Sequence, residues 1–166
     1  MKTLRTVALL LALSLTASLA APAFAGTRTQ QKDIVQTATD AGQFKTLTKL
    51  LKRAGLVKTL QQPGPYTVFA PTDKAFAKVP KKTLNALARD KKKLKAVLLY
   101  HVVAGKVTAA DVVKLSKAET LNGADVRIRV RNGKVYVNKA RVTKADVGAS
   151  NGVIHVVNRV LIPPAD

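Results

Sequence analysis

The sequence predicts an α+β fold in which a helical half comes first and a sheet follows. Apolar residues between Asp33 and Tyr100 recur at helical spacing, and from Ala118 onward the period shortens to two. Asn-Gly pairs at 122, 132 and 151 break the second half into strand-length runs, and Asn-Gly suits the positive φ angles that tight hairpin turns demand.

In the helical half, Ile34, Val35 and Ala38 open the pattern, and Gly42 interrupts it. Phe44, Leu47, Leu50, Leu51 and Ala54 then form an apolar stripe between Lys45, Lys49, Lys52 and Arg53, with Gly55 as the stop. The stripe has the ordinary width of a core-packing helix, which favours a shared core over a membrane-surface helix. Pro63, Gly64 and Pro65 signal a turn, and Tyr66 to Ala70 reads as a short buried strand. Thr72 or Asp73 can cap a short helix running to Val79, which Pro80 ends. Two more helices are expected over Lys81 to Arg89 and Lys91 to Tyr100, with Leu84, Leu87, Ala88, Leu94, Val97 and Leu98 facing inward. The basic run between Arg89 and Lys95 is read as a solvated helix start.

In the sheet half, the stretch VRIRVRNGKVYVN, Val126 to Asn138, specifies its own register. A two-residue turn at Asn132-Gly133 pairs Arg131 with Lys134, Val130 with Val135, Arg129 with Tyr136 and Ile128 with Val137. Apolar residues then meet on one face and polar residues on the other, and a shift by one would set valines against cations. The exposed face carries Arg127, Arg129, Arg131 and Lys134 around Tyr136. Like charges placed opposite each other cost up to about 1 kcal/mol. Such a row can bind an anionic partner, or it can simply keep an exposed strand edge from pairing with other chains.

Length and composition frame these elements. A chain of 166 residues, 47% hydrophobic, builds one domain with a real core. Its first 25 residues have the form of a cleaved signal peptide: Lys2 and Arg5 lead, a short apolar run covers Val7 to Leu15, and Ala23-Phe24-Ala25 offers a small-x-small cleavage site. That run is shorter than the roughly 18 apolar residues needed to span a bilayer, so no transmembrane anchor is expected in the mature form. Residues 26–32 read as a flexible leader and 33–164 as the domain. The chain has no cysteine, hence no lipid attachment at the cleavage point and no disulfides. The expected location is secreted, extracellular or periplasmic, and the expected state is a monomer.

Charge is the unusual feature. The chain has 29 Lys and Arg against 9 Asp and Glu, and removing the signal peptide takes away two cations and no acid, leaving +18. That excess concerns association with anionic polymers or surfaces rather than fold. Aromatics are 4% of residues, too few for a base-stacking platform, which disfavours sequence-specific nucleic-acid recognition.

Catalytic signals are weak. His101 and His155 have no ligand-spaced neighbour for a metal site, and no cofactor motif occurs. Gly148 to Gly152 matches G-x-S-x-G, but a nucleophile elbow needs a helix after Ser150 and an acid before the histidine. Here a β-rich run follows, and Asp166 is the sole acid after His155. Ser150 is instead read as part of the turn that launches the last strand, and the chain as a non-enzyme.

Three segments carry a family resemblance. Tyr66 to Pro80 (YTVFAPTDKAFAKVP) resembles the first signature of the fasciclin domain, and Asn151 to Pro164 (NGVIHVVNRVLIPP) its second. Between them Leu98 to Val103 (LLYHVV), followed by Gly105 and Lys106, is similar to the linking segment. The resemblance implies N-terminal helices packed on a wedge of two β-sheets, and an extracellular adhesion or matrix-binding module without enzymatic activity. It also implies adhesion residues at Tyr100 and His101 and at Asp146 and Val147, where valine replaces the family's isoleucine. A hydrogen-bonded structural role is the alternative for Tyr100 and His101, which adjoin core leucines and valines. The chain departs from the family at Ala104, often proline, and at Asn158-Arg159, usually acidic. The arginine row is likewise not a family feature, so the expected ligand, an acidic polysaccharide or other anionic surface polymer met by the hairpin face, comes from this chain's own charge.

Overall fold

A computed structural model describes residues 31–164. The expected signal peptide and residues 26–30 of the leader lie outside them. Lys32, at the end of the expected leader, touches the domain: its carbonyl accepts hydrogen bonds from the Ser150 amide at 2.9 Å and the Thr37 hydroxyl at 3.2 Å.

Helix α1 (Ile34–Asp40) starts from a capping box in which the Asp33 carboxylate accepts from the Gln36 amide and the Gln36 side chain accepts from the Asp33 amide. Helix α2 (Lys45–Ala54) buries Leu47, Leu50, Leu51 and Ala54 as expected and stops at Gly55, whose φ of 73° is the left-handed stop that glycine allows. Its N-cap, Phe44, has no capping oxygen. Asp73 supplies one from a distance, accepting from the Thr46 amide at 2.8 Å and the Lys45 amide at 3.2 Å. Burial pushes the Asp73 carboxyl pKa up, but those amides outweigh it and hold the group below its ordinary value.

A short α3 (Val57–Gln61), too brief to show a helical period, leads to β1 (Tyr66–Pro71). Thr72 caps α4 (Asp73–Ala77) through the Ala75 amide. Helices α5 (Lys81–Arg89) and α6 (Lys91–Leu99) follow the predicted bounds closely. Asp90 caps α6 by accepting from the Lys92 and Lys93 amides, which makes the basic run a helix start as read. The expected inward face of α5 is only half buried, because the helix lies across the outside of α6 rather than in the core.

The remaining elements are β2 (Val102–Ala104), α7 (Ala109–Val112), β3 (Lys117–Glu119), β4 (Asp125–Arg131), β5 (Lys134–Val137), β6 (Ala140–Ala149) and β7 (Gly152–Val157). The strands lie in the order β2-β1-β7-β6-β5-β4-β3. Strands β1 and β7 run parallel at its heart, and the other pairs are antiparallel. A bridge from Val103 to Thr120 and a bond from the Leu121 amide to the Val102 carbonyl curl the two ends of the order toward each other. The expected wedge is therefore a folded-over sheet.

Side chains of the central strands alternate between two cores. Val68, Ala70, Ile154 and Val156 pack with Leu47, Leu51, Leu60 and Leu98 on the helical side. Phe69 and Val157 pack with Tyr100, Val126, Val137 and Leu161 inside the wedge. His155, also buried, stacks on Phe69 with ring centroids 5.6 Å apart.

The turn signals hold at two of three sites. Asn132 and Gly133 both take positive φ, and Gly123 does so after Asn122. At the third, Ala149 pairs with Gly152, so the turn is Ser150 and Asn151 and Gly152 is already strand. The glycine is there for close approach, since a Cβ on it would lie 2.0 Å from the Tyr66 carbonyl oxygen. Gly152→Ala is therefore expected to force β1 and β7 apart and to destabilise the fold by about 2–4 kcal/mol, read as a lowered urea midpoint.

Candidate functional site

The hairpin of β4 and β5 adopts the register read from its sequence, with Ile128 opposite Val137, Arg129 opposite Tyr136, Val130 opposite Val135 and Arg131 opposite Lys134. Arg127 completes the row because the Asn138 amide donates to its carbonyl at 2.7 Å while the Asn138 side chain accepts from its amide at 2.8 Å. Arg127, Arg129, Arg131 and Lys134 are exposed, and Tyr136 is half buried.

Neighbouring strands extend this face. Lys117 of β3 lies opposite Arg127, and Arg141 of β6 lies opposite Tyr136. Beside the row, between β3–β4 and the segment 159–164, runs a groove of about 980 Å³. Lys117, Arg127, Arg129, Lys139 and Arg159 line it as cations, and Asp125 is the single acid. Val160, Ile162 and Pro164 contribute apolar surface, over a floor that includes the buried Tyr100 and Leu161. Asp125 is engaged by Lys117 at 2.8 Å, an exposed pair in which the hydrogen bond from Lys117 raises the lysine's pKa. Among the described residues, ion pairs otherwise form at Lys32–Asp40 and Lys93–Asp90, leaving the hairpin cations without a carboxylate. The cause is compositional: residues 126–145 hold seven cations and no acid.

Lys117, Lys139 and Arg159 were not placed at this site by sequence. A three-residue strand shows no period, and Lys139 sits in the unforeseen turn that joins Val137 to Ala140. Arg159 did carry a signal, as a departure from the second signature that the family resemblance implies.

The other candidate residues are internal. Tyr100 and His101 are each 2% exposed. The Tyr100 hydroxyl donates to the Asp125 carbonyl and accepts from the Asn138 side-chain amide, both at 3.0 Å, fastening β4 and the β5–β6 turn to the end of α6. His101 Nδ1 donates to the Val97 carbonyl at 2.7 Å, and its Nε2 accepts from the Leu161 amide at 2.9 Å. Neither side chain offers surface to a partner, and the geometry supports the hydrogen-bonded role. Asp146 is exposed at a φ of 54°, with its carboxylate accepting from the Ala109 amide at 2.8 Å at the start of α7. Its own amide donates to His155 Nδ1 at 3.3 Å, while half-buried Val147 packs against the helical-side core. No hydrogen bond joins this pair to Tyr100 or His101 among the described residues. Ser150 stands in a strand–turn–strand unit, not the strand–turn–helix of a nucleophile elbow.

Comparison with known proteins matches this arrangement to a family. The fasciclin domain model covers residues 42–163. The chain belongs to the fasciclin domain family. Protein sll1483 of Synechocystis is 48% identical over 133 residues, spanning 79% of this chain and 73% of that one. The pig transforming growth factor-beta-induced protein ig-h3 is 39% identical over 124 residues, 75% of this chain but 18% of its own length. Among solved structures, a FAS1 domain pair from the insect cell adhesion molecule Fasciclin I superposes with a TM-score of 0.60 at 18% identity, covering 75% of this chain and 47% of that one, which establishes the shared fold. No helix among the described residues is long and apolar enough to cross a membrane.

The buried histidine makes a prediction about acid stability. Burial pulls the His101 pKa down to about 4, against a smaller upward effect of its bond to Val97. Above the ordinary histidine value of about 6.5 the ring is neutral in both folded and unfolded chains. As the pH falls below that, the unfolded chain takes up a proton that the folded one refuses. Stability is expected to decline between about pH 6.5 and 4 by a few kcal/mol, about 3 at most. Denaturation midpoints followed across that window should show the decline in the native chain and a flatter profile in His101→Asn.

Proposed function

We propose that this chain is a secreted, non-enzymatic binding module that holds anionic extracellular polymers, acidic polysaccharide foremost, along the β4–β5 face and its adjoining groove. The observation that carries this reading is the grouping of Lys117, Arg127, Arg129, Lys139 and Arg159 around one groove with Asp125 as its single acid. Family membership supports the adhesion class, as does the fold shared with a cell adhesion molecule.

Geometry favours a linear polymer over a small anion. Alternate residues of a strand repeat at about 6.6 Å, so Arg127, Arg129 and Arg131 set out a one-dimensional row of charge. Each guanidinium can hold a carboxylate or sulfate through two parallel N–H donors. Because the face is open to water, affinity is expected to depend on displacing counterions and so to fall steeply with salt.

The test compares the native chain with an Arg127→Ser, Arg129→Ser, Arg131→Ser variant against an acidic polysaccharide, duplex DNA and a neutral polysaccharide at several salt concentrations. Binding to the acidic polymer is expected to exceed that to DNA, and neutral polymer should not bind. In the variant the log–log salt slope for DNA should be shallower by roughly 2 to 3, about 0.9 per lost contact. An unchanged slope would exclude the hairpin as the site.

A further inference from the structure

The hairpin has a second face that polymer binding leaves unused. Val126, Ile128 and Val130 alternate with the arginines; the first two are buried, but Val130, near the tip, is 47% exposed. Val113 and Leu115 are 48% and 40% exposed in the connection from α7 to β3. That connection lies alongside the hairpin, since the Ile128 amide donates to the Ser116 carbonyl at 2.8 Å. Three of the four exposed large hydrophobic residues among those described thus gather at one end of the molecule, the fourth being Ile162 in the groove.

The same end is cationic. Lys114, Arg129, Arg131 and Lys134 are exposed there. The acids of β3 and β4, Glu119 and Asp125, oppose each other at the other end of that strand pair. We propose that this end docks on an anionic lipid surface, with Val130, Val113 and Leu115 entering the headgroup region while the arginines and lysines meet the phosphates.

Charge and apolarity together select this occupant. A dissolved polyanion satisfies the cations but gives the aliphatic side chains nothing apolar to enter. A second copy of the chain would set Arg129, Arg131 and Lys134 against the same cations. An anionic bilayer offers both components, and interfacial attachment commonly needs both, because a few aliphatic side chains or a few charges alone bind marginally. Arg129, Arg131 and Lys134 serve both contacts, and the aliphatic side chains Val130, Val113 and Leu115 are what distinguish lipid docking from polymer binding.

The chain contains no tryptophan, so Val130→Trp places a single indole at the tip, and Leu115→Trp does the same on a separate element. Each variant is mixed with vesicles of phosphatidylglycerol and phosphatidylcholine, with pure phosphatidylcholine vesicles, and with dissolved acidic polysaccharide. Mixed vesicles should sediment the protein and shift indole emission to the blue, whereas the other two should leave the emission unchanged. A Val113→Ser, Leu115→Ser, Val130→Ser variant, with all its charge intact, should bind mixed vesicles about fivefold or more weakly and hold polysaccharide as before. Sedimentation with no blue shift at either position would overturn the proposal, reducing the contact to charge alone. So would an absence of binding to the mixed vesicles. If vesicles bind with the blue shift while polysaccharide does not, polymer binding fails and lipid docking stands.

Discussion

The parallel pairing of β1 with β7 is the constraint on which the rest of the structure depends. Tyr66 to Pro71 lies against Gly152 to Val157 over six residue pairs, and nearly every side chain involved is buried. A strand pair covered on both faces needs an apolar layer on each side, and the chain supplies them separately. Its first half delivers helices to one side, and its second half folds the sheet back over the other. Where the strands start, Gly152 permits backbone contact with Tyr66 that a side chain would prevent. Asn151 anchors the same point, its side chain accepting from the Ile34 amide and donating to the Leu60 and Gln62 carbonyls. One residue so links α1, α3 and the entry to β7.

Buried polar groups then fix the connections to this pair. The Thr67 hydroxyl donates to the Gly105 carbonyl and accepts from the Val107 amide, and His155 Nε2 donates to the Val107 carbonyl. His101 holds Leu161 in the same manner from the end of α6. Among the described residues no buried side-chain polar atom lacks a partner. Leaving one unpaired would cost about 1–3 kcal/mol, so these bonds specify loop positions more than they add stability. A frame closed in this way has no place for unpaired charge. The cations of residues 126–145 are held outward by the alternation of β4 and β5, which is why the cationic face lies at the periphery of the sheet.

Much of this was legible in the sequence. Helices α2, α4, α5 and α6 were readable because each carries a stripe or a cap, and the hairpin because its alternation and its turn agree on one register. The helices packed on a wedge came from the family resemblance of Tyr66 to Pro80 and Asn151 to Pro164, not from periodicity. Elements too short to show a period, α3, α7, β2 and β3, escaped, and with them the place of Lys117. Gly152 was misread as a turn residue because Asn-Gly is a strong local signal, whereas the cause of the glycine is a tertiary contact with Tyr66. Residue identity alone also left Tyr100 and His101 open between two roles, since a tyrosine and a histidine look the same in a sequence whether they face a partner or a neighbouring carbonyl. What separates them is the pairing of Tyr100 with Asp125 and Asn138, and of His101 with Leu161, across long stretches of chain.

The account divides the molecule into a closed frame and an open cationic face, and backbone hydrogen exchange with and without saturating acidic polysaccharide tests that division most directly. It predicts that amides of β1 and β7 exchange most slowly in both conditions. Added protection should be confined to β3, β4, β5 and the segment 159–164. Protection spread instead over the lysine-bearing helices α2, α5 and α6 would contradict the account, showing that net charge rather than one face holds the polymer.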